Sequence, residues 1–156
     1  MDEKSEKWQG LISTKLNSIQ PDEAWSTLGD FFNLHKFLPS LATCHKVEGS
    51  DNVRYCASEP DQTGTVYWVK EKLVEFNPIK RSYSYEIIES NMGFGSYLAE
   101  LRVVECDDGG CKIELGFECE PILGWTRSGF VEYMEGGVKG MAKGVEDALC
   151  ANDGNL

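Results

Sequence analysis

Residues 124–150 constrain the fold more than any other stretch of this chain. Phe130, Met134, Val138, Met141, Val145 and Ala148 recur at steps of three and four. That spacing, at about 100° per residue, predicts one long amphipathic helix. Glu132, Glu135, Lys139, Lys143 and Glu146 fall on the opposite arc. Yet Gly136, Gly137, Gly140 and Gly144 lie inside the same helix, and each costs a helix interior roughly 1 kcal/mol relative to alanine. Tertiary packing has to offset that cost. The glycines flank the apolar stripe, where a missing side chain either lets another backbone come close or leaves volume open. Close packing of helix on sheet is expected at most of them, and a helix that roofs a hollow is the alternative.

Upstream, the pattern divides into one strand, two short helices and a run of strands. Trp8, Gly10, Ile12, Thr14 and Leu16 alternate with polar residues, as a half-buried strand does. Pro21-Asp22-Glu23 then supplies the proline and acids of a first helical turn. Ala24, Trp25, Leu28, Phe31 and Phe32 make the apolar stripe of that helix. A second short helix over residues 33–37 ends at Leu38-Pro39, because the residue before a proline avoids the α region. Strands are predicted over residues 44–48, 53–57, 65–76, 81–89, 97–105 and 111–120, with Asp107-Asp108-Gly109-Gly110 as a hairpin turn. The expectation is an α+β fold with a mainly antiparallel, seven-stranded sheet.

The 156 residues suit a single domain over 1–156, with flexible tails at 1–7 and 151–156. A formal net charge of −11 repels phosphate backbones and anionic membranes, so nucleic acid is an unsuitable partner. No apolar run approaches the ~18 residues of a membrane span, so stable membrane insertion is not expected. The charged opening MDEKSEKWQG differs from an apolar secretory signal, and a cytoplasmic protein is expected. Cys44, Cys56, Cys106, Cys111, Cys119 and Cys150 show no CxxC spacing and read as free thiols, several of them in the core. His35 and His45 lack metal-ligand spacing. Neither a metal nor a cofactor is expected.

Alternation along the strands identifies an interior face. Tyr97, Ala99, Leu101 and Val103 share it with Ile113, Leu115, Phe117 and Cys119, and Tyr83, Tyr85 and Ile87 join them. Tyrosines therefore enter the same interior as the stripe of Phe130, Met134 and Val138, and buried hydroxyls need partners. Tyr67, Val69, Glu71 and Leu73 share one face of their strand, opposite Lys70 and Lys72. Glu71 thus points to the apolar side, where an ionised carboxylate is costly unless paired. Arg54, between Val53 and Tyr55, is the nearest candidate partner. A structural ion pair, a bulge that turns Glu71 outward, and a functional pair all fit this pattern.

The residues also resemble the START-like, helix-grip superfamily, in which the sheet wraps a long C-terminal helix and two short helices follow the first strand. Within it the chain is most similar to the plant lachrymatory factor synthases. The resemblance runs from Lys7 to about Ala148. It is carried by Lys7-Trp8-x-Gly10, Pro21-x-x-Ala24-Trp25, Asn33-Leu34-His35-Lys36, Pro39-Ser40-Leu41, Val47-Glu48-Gly49, Val53-Arg54-Tyr55, Lys70-Glu71-Lys72-Leu73-Val74 and Ser82-Tyr83-Ser84-Tyr85. It implies that Arg54 and Glu71 are a catalytic pair in a cavity, acting without cofactor or metal on a small sulfenic acid. Tyr85 and Tyr97 match aromatic pocket residues. Where those synthases carry two pocket tryptophans, this chain has Leu115 and Gly137, which changes pocket shape and so the substrate held in a reactive geometry.

Two functions of different class follow. One is a cofactor-independent isomerase or lyase, and the other is a carrier or receptor of a small hydrophobic or amphipathic molecule. The expected ligand site is Tyr67, Val69, Leu73, Tyr83, Tyr85, Tyr97, Leu115, Phe117, Phe130, Met134, Gly137 and Val138 around Arg54 and Glu71. Residues 91–95, with Gly93 and Gly95, read either as an ordinary hairpin loop or as a mobile lid. No feature of the chain points to a protein partner.

Overall fold

A computed structural model describes residues 6–154, with side chains through Cys150. In chain order the elements are β1 (Trp8–Leu16), α1 (Pro21–Leu28), a single 3-10 turn (Leu34–Lys36), β2 (Thr43–Lys46), β3 (Val53–Ala57), β4 (Trp68–Asn77), β5 (Ser82–Ser90), β6 (Tyr97–Glu105), β7 (Cys111–Cys119) and α2 (Arg127–Gly154). The strands form one antiparallel sheet in the order β1-β7-β6-β5-β4-β3-β2. Every neighbour except the β1–β7 pair is consecutive in the chain, so hairpin connections build most of the sheet. The α+β, helix-grip expectation holds.

Local chemistry explains the boundaries that differ from the sequence reading. α2 begins at Arg127 because Gly124 takes the left-handed region at φ +89° and Trp125 N–H closes a turn onto the Ile122 carbonyl. Thr126 Oγ1 then accepts the Gly129 N–H at 3.0 Å, an N-cap that starts the helix. At the other end the helix continues through Gly154, so residues 151–154 are helical rather than tail, because nothing interrupts the backbone ladder at Cys150. Of the two expected tails, residues 1–5 and 155–156 lie outside the described residues.

α1 stops at Leu28, earlier than its stripe suggests, and Phe31 and Phe32 follow it in the loop. Its start is held by the reciprocal contact in which Gln20 N–H donates to Glu23 Oε1 at 3.0 Å. β4 starts at Trp68 instead of Thr65 because Asp61 Oδ1 accepts the N–H groups of both Thr63 and Thr65, which keeps this segment in a loop.

The interior face is the one read from the alternation. Tyr83, Tyr85, Tyr97, Ala99, Leu101, Val103, Ile113, Leu115, Phe117 and Cys119 are all buried. α2 packs mainly along β1, with lighter contacts to β7 and α1. It therefore covers one edge of the sheet closely and stands off from β3, β4 and β5. No helix among the described residues is long and apolar enough to cross a membrane.

Candidate functional site

The glycine-bearing middle of α2 lies over the part of the sheet that it does not touch. A Cβ placed on Gly136 or Gly137 would meet nothing within 4 Å. A Cβ on Gly140 would make only ordinary contact with Leu38 and Pro39, whereas one on Gly144 would collide with the Phe37 carbonyl. The close packing expected at most of these glycines occurs at Gly144, and against the residue after the 3-10 turn rather than against the sheet. The N-terminal pair roofs a hollow.

That hollow is a cavity of about 980 Å³, at the upper end of the range for small-molecule sites. Its walls come from α2, from residues 34–41 and from strands β3 to β7. The lining residues Tyr67 and Tyr133 are exposed, which brings the cavity to the surface on their side.

Arg54 and Glu71 meet at its base, on directly paired positions of β3 and β4. The register places them opposite each other, and their exposures are only 1% and 8%. Arg54 Nε donates to Glu71 Oε1 at 2.8 Å, and Nη2 stands 2.7 Å from the same oxygen. Nη1 donates to the Phe31 carbonyl at 2.8 Å. The guanidinium also lies over the Phe31 ring, 4.0 Å from its centre, and within 5.0 Å of the Tyr85 ring centre, an arrangement that favours a cation. β4 is irregular at Lys70/Glu71 and again at Leu73/Glu75. The irregularity leaves Glu71 facing inward.

Burial is the largest single influence on Arg54 and opposes its charge, but Glu71 together with Tyr83, Cys56 and Tyr85 outweighs it and holds the guanidinium protonated. Both short contacts go to Oε1, so among the described residues no hydrogen bond reaches Oε2. An arginine carries five N–H donors, and the contacts above leave one on Nη1 and one on Nη2 unassigned. The site therefore offers a carboxylate oxygen and cationic donors together. Burial raises the hydroxyls of Tyr85 and Tyr97 above the usual tyrosine range, which keeps both as donors.

Of the other residues expected at the site, Tyr67, Val69, Tyr85, Tyr97, Leu115, Met134, Gly137 and Val138 line the cavity. Leu73, Tyr83, Phe117 and Phe130 do not. Leu73 sits beside the second β4 irregularity, half-buried opposite Tyr85. Tyr83 is sealed behind Phe31, with ring centres 5.3 Å apart. Phe117 and Phe130 fill the end of the interior, 5.3 Å apart, and Phe130 also packs on Trp8, Phe94, Tyr97, Trp125 and Tyr133. Strand parity puts a residue on the inner face, but neighbouring rings decide whether it reaches open volume.

Sequence reasoning missed the wall formed by Leu34, Leu38, Pro39 and Leu41, and the Cys56, Met92 and Trp125 side chains. No periodicity marks a loop residue as lining. In the 91–95 loop, Asn91 is pinned through Trp68 N–H donating to its Oδ1 and its Nδ2 donating to the Val66 carbonyl, while Met92 and Phe94 reach the cavity.

An antiparallel sheet closed by one long helix over an apolar cavity, with the buried Arg54–Glu71 ion pair at its base, defines a helix-grip domain with room for a small molecule. The profile of the family described as polyketide cyclase / dehydrase and lipid transport matches residues 13–149, and the chain belongs to that family. Its fold is similar to that of the XoxI protein of Bacillus cereus, with 21% identity and a TM-score of 0.72 over 92% of this chain and 95% of that one. An uncharacterized protein of Bacillus thuringiensis is similar at 21% identity and a TM-score of 0.73, over 88% of this chain and 98% of that one.

Proposed function

We propose that this chain binds one small hydrophobic or amphipathic molecule between α2 and the sheet, with a polar group of that molecule on Arg54 and Glu71. The observation that carries this reading is the buried ion pair at the floor of a large apolar cavity, with Glu71 Oε2 unengaged by any described residue. Desolvating two charges costs several kcal/mol per ion, and well-packed apolar residues usually serve stability as well or better. A retained pair at a cavity floor is therefore suited to a ligand.

The free carboxylate oxygen also favours a catalytic reading, which the resemblance to the lachrymatory factor synthases supports. In that reading the substrate is a small alkenyl sulfenic acid. Arg54 holds its oxygen through charge-assisted hydrogen bonds, and Glu71 takes the O–H proton and returns it to the alkene carbon. The double bond shifts to carbon–sulfur, so the product is an isomer, and no redox partner or cofactor takes part. Without those proton transfers the same geometry serves a carrier or receptor.

Native mass spectrometry of the protein from its own tissue, beside Glu71→Gln and a double Arg54→Met, Glu71→Leu variant, tests both readings. Removing one partner of a buried pair costs about 3–5 kcal/mol, so the double variant is the folded control. A copurified molecule that the folded double variant loses supports the ligand site. Retention with unchanged affinity overturns it. Turnover of a generated sulfenic acid that disappears in Glu71→Gln selects catalysis over carriage.

A further inference from the structure

At the edge of the sheet opposite the one that α2 packs along, Cys44 and Cys56 face each other across β2 and β3. Their sulfurs are 3.2 Å apart and both residues are buried. Val47 N–H bonds to the Val53 carbonyl. Counting from that pair, Cys44 and Cys56 occupy a non-hydrogen-bonded site, where opposed Cα atoms are typically about 4.5 Å apart. Disulfides form at Cα separations of about 4.4–6.8 Å, so these strands hold the two sulfurs within reach of a bond. Cys56 lines the cavity and stands two residues from Arg54 on the same strand. Other thiols lack this geometry. Cys111 and Cys119 are buried elsewhere in β7, and among the described residues Cys44 and Cys56 alone make a sulfur–sulfur hydrogen bond.

We propose that Cys44 and Cys56 form a second chemical site, a dithiol that low-molecular-weight disulfides oxidise to a cross-strand disulfide, and whose oxidation state changes ligand binding in the cavity. The cavity-facing Cys56 sulfur, as thiolate, attacks the small disulfide. A Cys56–S–S–R bond forms and one R–S⁻ leaves. The Cys44 thiolate then attacks the Cys56 sulfur, the strands become cross-linked, and the second R–S⁻ leaves. The one proton of the pair goes to the first departing thiolate and solvent protonates the second, so the dithiol is oxidised by two electrons and the small disulfide is reduced to two thiols.

The electrostatics put the resting thiolate on Cys44, so Cys56, the sulfur that reaches the cavity, attacks as it passes its proton across the shared hydrogen bond. Cys56 S–H donates to Cys44, and that bond together with the nearby Arg54 guanidinium lowers the Cys44 thiol, while the same bond and burial raise Cys56. The pair holds one proton between its sulfurs, so the proton can pass to Cys44 as Cys56 attacks. The cavity senses the outcome in two ways. Oxidation removes the negative charge beside Arg54, and it ties the cavity wall on β3 to the edge strand β2.

The test uses the folded wild-type protein equilibrated across a series of reduced and oxidised glutathione, quenched with acid and digested without reduction. The expected product is a linked pair of peptides, one with Cys44 and one with Cys56, in molecules whose other thiols can still be alkylated. Cys44→Ser is expected to stop at a glutathione adduct on Cys56. The oxidised form is then expected to bind 1-anilinonaphthalene-8-sulfonate with an affinity changed by about 5-fold or more, the lower end of typical coupling between sites. Absence of the cross-link in folded wild type at the oxidising end overturns the proposal. So does a cross-linked form with the affinity of the reduced one. Neither result bears on whether Arg54 and Glu71 hold a ligand.

Discussion

The two halves of the glycine-bearing face of α2 carry the same residue type to opposite ends. Gly144 is pressed against the Phe37 carbonyl, where no side chain fits, and Gly136 and Gly137 face open volume. At the first, glycine permits contact. At the second, it preserves a space. A helix can therefore be clamped at one end and held off the sheet at the other, and the cavity is the volume left by that difference.

Four measurements bear on this contrast, and the largest effect is alkaline. Burial raises the hydroxyls of Tyr83, Tyr85 and Tyr97 above the usual value of about 10. An unfolded chain releases those protons near pH 10 and the folded one keeps them. Their contribution to stability is fully present below that pH and is lost as pH rises through the folded values. Phenolate absorbance of these three is expected to appear together with loss of near-ultraviolet circular dichroism. If Tyr85 and Tyr97 ionise reversibly in folded protein while Tyr83 does not, the cavity beneath Gly136 and Gly137 is well hydrated rather than dry.

A smaller effect is expected at the clamped end. Gly144→Ala should destabilise by about 1–3 kcal/mol in denaturant unfolding, because a backbone carbonyl cannot rotate away from the new methyl. That exceeds the roughly 1 kcal/mol gained in helix propensity. An unchanged or raised midpoint would mean that the helix shifts easily and is not clamped there.

The smallest effect has the opposite sign. Gly136→Ala and Gly137→Ala should each stabilise by about 0.5–1 kcal/mol, since the helix gains propensity and the methyl meets no neighbour. Loss of stability at either position would show that the roof contacts something in solution. A larger side chain at Gly137 enters the space that ligand would fill, so reduced uptake of an apolar dye at unchanged stability would sharpen the same point.

Most of the architecture was legible from local signals. Alternation at period two is enough to show which face of β6 and β7 is buried, since successive residues of a strand have no choice but to point apart. The stripe from Phe130 to Val145 likewise marked α2, and turn chemistry at Gly109 marked the last hairpin. Glu71 was visible as a charge on an apolar face. Its proximity to Arg54 was an inference that only strand register could complete, because the two are 17 positions apart in the chain.

Periodicity reports direction, whereas a cavity depends on what does not fill the space. Phe117 and Leu115 point the same way from β7, yet the Phe130 ring closes over one and leaves the other open. The same limit hid the thiol pair: Cys44 and Cys56 share no recognisable spacing, and the register of two short strands is what brings their sulfurs together. The chain's own pattern of apolar, polar and glycine residues thus establishes the elements and the faces they bury. Which glycine touches backbone, which aromatic ring plugs the interior and which charges and thiols meet depend on long-range packing, where several elements compete for one volume.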